Sequence, residues 1–172
     1  MKLSIKEMTV TSLFAALTVV GSYIFIPLPF SPVPITLQLL FTFLAGGILG
    51  KKLGFLSQVL YLFMGAIGLP VFAAGTGGIG VFFGPTGGYL LGFLPAAYLA
   101  GMGKNKFSTK LFYLLLGLCF LYLSGITGLI IFGGLNINSA LSTGILPFLP
   151  GDLFKVLLAS YIIRKFPVNK LI

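Results

Sequence analysis

The sequence predicts an all-α membrane protein, a bundle of six transmembrane helices with both termini cytoplasmic. Three observations predict it. Of 172 residues, 58% are hydrophobic and only 8% charged, whereas a soluble domain charges roughly a quarter of its positions. Apolar runs follow one another with short interruptions, each approaching the roughly 20 residues that cross a bilayer. Basic residues border these runs on alternate connections only, as the positive-inside tendency requires. Open sheets are excluded because lipid cannot satisfy their edge amides.

The first helix is expected near 9–28. Its apolar stretch is too long for a signal-peptide core and lacks a convincing cleavage site, so it is kept in the mature chain. A second helix near 35–50 ends at Lys51 and Lys52, and a third follows over 53–73. The fourth, 86–103, leads into Lys104, Lys106 and Lys110, and the fifth covers 111–132. The sixth, 149–165, closes on Arg164, Lys165 and Lys170. Together with Lys2 and Lys6, which precede the first helix, ten of the eleven basic residues fall on one side. The opposite connections, 29–34, 74–85 and 133–148, hold no charged residue. The reading is one membrane domain over 1–172, in the cell membrane and multi-pass.

A formal charge of +9 is compatible with nucleic acid only if it forms a continuous basic face. These clusters are short and sit beside apolar runs, so the lipid bilayer is the expected partner and nucleic acid is not. The lone cysteine, Cys119, excludes an intrachain disulfide or a cysteine metal cluster.

The uncharged connections are rich in Pro and Gly, as in Pro27-Leu28-Pro29-Phe30-Ser31-Pro32-Val33-Pro34 and Gly75-Thr76-Gly77-Gly78-Ile79-Gly80. Irregular backbone at membrane depth survives only when buried in protein or lining a cavity, so these segments suggest lids over a ligand pocket toward the extracellular side. Ordinary surface turns would explain the composition equally well. Gly88, Gly92, Ala96 and Ala100 recur every four residues, a spacing that lets helices approach closely. Thr11 with Ala15, and Ser12 with Ala16, give the first helix a similar strip, to meet either this chain or another subunit.

Asp152 and Lys155 escape the charge pattern, in Pro150-Gly151-Asp152-Leu153-Phe154-Lys155 at the outer start of the sixth helix. Three residues apart, they share a helix face and can partly neutralise one another inside the bundle. The plainer alternatives are that Asp152 caps the helix and that Lys155 snorkels to the interface. Thr36, Gln38, Thr86, Tyr89, Asn136 and Asn138 are neutral polar groups in the same outer half.

Other chemistry is excluded by what is missing. No GxxxxGK[ST] phosphate loop is present, and the GxGxxG match at 75–80 lacks a βαβ context. Without histidine neither an HExxH zinc site nor a Ser-His-Asp triad can form. A Ser-Lys pair is the one nucleophilic arrangement left open. The chain is expected to be no enzyme and to hold no cofactor.

Four stretches carry a resemblance: Pro32-Val33-Pro34-Ile35-Thr36-Leu37-Gln38, Gly68-Leu69-Pro70-Val71-Phe72, Gly84-Pro85-Thr86-Gly87-Gly88-Tyr89-Leu90-Leu91-Gly92 and Leu149-Pro150-Gly151-Asp152-Leu153-Phe154-Lys155. Together they resemble the BioY family, the biotin-binding S components of energy-coupling factor transporters. The resemblance implies that biotin is captured outside and released inward with a transmembrane coupling subunit and two ATPase subunits, which would consume the ATP. It also implies a partner-binding surface on the first helix at Ser12, Ala15 and Ala16. Carried onto the matching motifs, it makes Asp152, Lys155, Gln38, Thr86 and Tyr89 the polar substrate-binding set. Gly75, Gly77, Gly87 and Gly88 would let backbone approach the ligand. Two other classes fit the residues alone. One is a stand-alone proton-coupled secondary transporter of a small carboxylate-bearing substrate, with Asp152 as proton site. The other is a membrane assembly protein without a ligand.

Overall fold

A computed structural model of the chain describes residues 3–103 and 106–166; Lys2, Lys104 and Lys170 lie outside the described residues. α1, Ile5–Tyr23, opens on a capping box in which the Ser4 side chain accepts from the Glu7 amide and the Glu7 carboxylate accepts from the Ser4 amide. This pairing satisfies two free amides of the first turn, and it sets the start four residues before the expected 9. α1 also ends earlier, because the chain turns extended: β1, Phe25–Ile26, pairs antiparallel with β2, Ile35–Thr36. The Pro-rich connection is therefore a closed hairpin.

α2, Gln38–Ala66, contains two of the expected helices. At Gly50, φ is 83° and ψ 168°, a conformation only glycine adopts cheaply. The chain doubles back there, so that Thr42 on the first arm meets Gln58 on the second, and Gly54 packs against the Gly46 backbone. Each arm alone is shorter than the roughly 20 residues of a full hydrocarbon crossing. The second arm stops at Ala66 rather than 73, since Gly68 takes φ 101°. The chain then forms two short 3-10 turns, Ala73–Gly75 and Ile79–Phe83.

α3, Gly87–Ala100, and α4, Phe107–Ile131, follow near their expected positions, and α4 is long and apolar enough to cross a bilayer unaided. α5, Ile137–Gly144, is a helix the sequence reading left inside the 133–148 connection. Asn136 starts it by accepting from the Ser139 amide at 2.9 Å. α6, Leu149–Lys165, has the expected bounds and meets α5 at a 51° bend.

The small-residue strip of α3 is used within the chain. Gly88 lies against Ser124 and Gly128 of α4, Gly92 against Leu121 and Ser124, and Ala96 against Gly117, while Ala100 meets Gly46 of α2. At Gly88 even a methyl group would fall 2.1 Å from the Ser124 carbonyl oxygen, so only residues this small let the helices approach so closely.

A second tie is polar. Gln58, fully buried, donates through Nε2 to the Thr18 and Ser57 hydroxyls and accepts from Thr42, each at 3.2 Å, joining α1 to both arms of α2. The Gly50 turn, the end of α3 at Gly101, Lys110 near the start of α4 and Ile163 near the end of α6 all pack together. Lys51, Lys52, Lys106, Lys110, Arg164 and Lys165 thus gather at one end of the bundle, as the charge pattern anticipated. Lys110 is itself buried, its ammonium donating to the Gly47 carbonyl at 3.4 Å, where the first arm of α2 leaves carbonyls unpaired.

Candidate functional site

At the end opposite the basic residues the helices diverge around a cavity of about 400 Å³, within the roughly 300–1,000 Å³ of small-molecule sites. The hairpin before α2 contributes Pro32, Val33 and Pro34, and the first 3-10 turn contributes Ala73 and Ala74. Apolar walls come from Leu39, Phe72, Leu90, Phe93, Leu121 and Phe148. Ala74 stands at φ 56°, a left-handed conformation that costs a non-glycine residue energy. The following Gly75, at φ 68°, continues the same turn, which the Phe72 amide closes on the Thr76 carbonyl at 2.9 Å.

Asp152 and Lys155 line this cavity from the first turns of α6. Their side chains are paired at 2.7 Å and nearly inaccessible, Asp152 being 5% and Lys155 6% exposed. Both plainer readings fail here. The N-cap of α6 is Phe148, without side-chain capping, so Asp152 sits inside the helix and its carboxylate bonds side chains instead. Lys155 is buried and turns to Asp152 in the cavity lining. The second carboxylate oxygen, Oδ2, accepts from the Tyr122 hydroxyl of α4 at 2.8 Å.

A neutral polar group faces the cavity from α2 and β2. Thr36 donates to the Gln38 side-chain oxygen at 2.9 Å, and the Gln38 amide nitrogen donates to the hydroxyl of Tyr61, a fully buried residue on the second arm. Tyr89 of α3 lines the cavity while its hydroxyl donates to the Gly144 carbonyl at 2.7 Å. Ser31 donates to the neighbouring Thr143 carbonyl at 2.8 Å, so the end of α5 holds both a cavity wall and the Pro-rich hairpin.

The structure therefore brings Gln38, Thr86, Tyr89, Asp152 and Lys155 into one lining, together with Thr36. The four glycines stand behind it. Gly75 shapes the turn that presents Ala73, Ala74 and Thr76; Gly77 lies on the Leu69 carbonyl; Gly87 lies on Phe82, and Gly88 on α4. Asn136 caps α5 and Asn138 is exposed, both outside the lining. On α1, Ser12 and Ala16 are exposed, whereas Ala15 is fully covered by this chain. An outside helix would meet the first two. Sequence reasoning missed Tyr122, one of two tyrosines in the apolar run of α4, and Tyr61.

A buried ion pair in a largely apolar chamber with a few polar groups, within a helical membrane fold, defines a membrane protein that binds a small polar solute. The comparisons make this specific. Residues 1–170 match the model of the BioY family. The chain is 43% identical over 164 residues to the probable biotin transporter BioY of Pyrococcus horikoshii, covering 95% of this chain and 98% of that protein. It is 41% identical to the biotin transporter BioY of Thermotoga maritima, over 96% of this chain and 99% of the relative. Among solved structures, the S-component for biotin from an ECF-type ABC transporter superposes with a TM-score of 0.87 at 32% identity, covering 94% of this chain and 90% of that one. The chain belongs to the BioY family. These relatives are named as transporters or transporter components, not as enzymes.

Proposed function

We propose that this chain is the biotin-binding S component of an ECF-type uptake transporter in the cell membrane, capturing biotin from outside and releasing it inward when partner ATPases act. The buried Asp152–Lys155 pair in the cavity lining is the observation that carries this reading. A ureido group presents N–H donors beside a carbonyl acceptor. An acceptor carboxylate and a donor ammonium held side by side complement that pattern. Because the pair is neutral overall, a neutral polar group can be held on it without adding net charge beside it. The apolar walls suit the sulfur ring and aliphatic tail, and Thr36, Gln38, Thr86 and Tyr89 remain for the other polar end.

The cavity lies away from the basic end, which fits capture from the extracellular face if the basic end is cytoplasmic. The chain has no phosphate loop, so energy must come from elsewhere; a transmembrane coupling subunit and two ATPases would supply it. The exposed Ser12 and Ala16 on α1 offer a smooth contact for the coupling subunit.

Calorimetric titration of the purified chain tests the substrate. Biotin is expected to saturate one site, with desthiobiotin competing. Absence of heat with biotin, alongside saturation by a different vitamin, would replace the substrate. Uptake that needs no ATPase partner and follows a proton gradient would replace the mechanism with secondary transport.

A further inference from the structure

At the opposite end of the bundle, the second arm of α2 and α3 flank an open cleft of about 260 Å³ lined by Lys52, Phe55, Leu56 and Tyr98. Its lining is almost wholly hydrocarbon and aromatic, Lys52 contributing its aliphatic stem. Phe55 and Tyr98 meet edge to face at 6.4 Å. The Lys51 ammonium stands 5.8 Å from the centre of the Tyr98 ring, close enough for a cation–π attraction that holds it over the cleft. Lys51 and Lys52 are both exposed, and neither has an acidic partner among the described residues.

We propose that this cleft binds one anionic phospholipid, with an acyl chain against Phe55, Leu56 and Tyr98 and the phosphate between Lys51 and Lys52. Three features favour that occupant. The cleft pairs an apolar slot with the Lys51 ammonium held over Tyr98 and with the Lys52 side chain in its lining, which is the amphiphilic pattern of a phospholipid. It sits at the basic end of the bundle, beside the Gly50 turn. Lys51, Lys52, Lys106, Lys110, Arg164 and Lys165 crowd that end, with Glu7 and Asp152 the only acidic residues in the chain, so a phosphate relieves repulsion among them. Juxtamembrane lysines attract anionic lipid in this way generally. Ordering at the mouth of the α2 turn would also brace Gly50 and Gly101, which pack beside Lys51.

The test uses the purified chain in neutral detergent, with phosphatidylglycerol or phosphatidylcholine of identical acyl chains added and bound lipid counted by native mass spectrometry. The expected result is one phosphatidylglycerol retained at a concentration at least about fivefold below that needed for phosphatidylcholine. K51Q/K52Q abolishes that preference. L56W, which keeps both charges and fills the cleft, reduces retention of the lipid, and R164Q/K165Q leaves it unchanged. Circular dichroism and elution volume check that each variant is folded. Equal retention of the two lipids overturns the site, as does equal loss in K51Q/K52Q and R164Q/K165Q, which would mean diffuse charge only. An unchanged lipid preference in K51Q/K52Q, with lost binding to a coupling subunit, would instead make the cleft a protein-docking face.

Discussion

Tyr122 donates its hydroxyl to Oδ2 of Asp152 at 2.8 Å, while the opposite oxygen is held by Lys155 at 2.7 Å. The carboxylate is clamped from two helices, α4 and α6, so its acceptor directions are fixed before a ligand arrives. Preorganised groups bind more tightly because less freedom is lost on association.

Tyr122→Phe keeps the ring and removes the clamp. A hydrogen bond to a charged group contributes about 1.5–3 kcal/mol, and part of that is expected to appear in binding. We predict biotin affinity reduced about tenfold, with the folded bundle retained. Calorimetry giving wild-type affinity would remove Tyr122 from the positioning of Asp152.

Stability and binding should separate at the ion pair itself. Asp152→Asn leaves the Lys155 ammonium buried without its counter-charge, and breaking a buried pair costs about 3–5 kcal/mol. Asp152→Asn and Lys155→Met are each predicted to lower both the melting temperature and the biotin affinity. The double variant D152N/K155M, which buries no charge, is predicted to recover most of the melting temperature and none of the binding. Thermal denaturation with parallel titration decides this. A double variant that binds like wild type would show that the pair serves the fold and not the ligand.

Some of this was legible in the sequence and some was not, for physical reasons. Asp152 and Lys155 stood out because charge in a neutral half of a membrane protein is costly and therefore informative. The break at Gly50 was legible from the flanking Lys51 and Lys52, and the bounds of α6 from Pro150 and the terminal basic residues. Helix ends on the opposite side were not. There the chain leaves α1 at Tyr23 and α2 at Ala66 while apolar residues continue, since those residues pack as a β hairpin and 3-10 turns over the cavity. Hydropathy is blind to that difference. Tyr122, Tyr61 and Gln58 were equally hidden, because an isolated polar atom in an apolar run gains meaning only from a partner distant in sequence.

Gln58 offers a contrasting test, since it lies in the bundle and outside the cavity lining. Gln58→Leu removes the acceptor of Thr42 and the donor to Thr18, leaving buried hydroxyl capacity unmet. An unsatisfied buried polar group costs about 1–3 kcal/mol. The expected outcome is a melting temperature lower by several degrees, with biotin affinity within about twofold of wild type. A large loss of affinity at unchanged melting temperature would mean that this layer belongs to the binding machinery.

The turn at Gly50 allows a finer separation of backbone strain from crowding. A Cβ at Gly50 would meet nothing within 4 Å, so a substitution there is resisted by conformation alone. At φ 83° with ψ 168° the backbone lies in a region that essentially only glycine reaches, and a side chain there is strained by about 1–3 kcal/mol. Gly50→Ala is therefore predicted to lower the melting temperature. Gly50→Asn should cost about as much, because asparagine's tolerance of positive φ belongs to the left-handed region at much smaller ψ, and Gly50→Val should cost more than either. Denaturation midpoints below wild type in all three, with Val lowest, establish the glycine-only turn. Midpoints equal to wild type in all three would show that the two arms of α2 join without it.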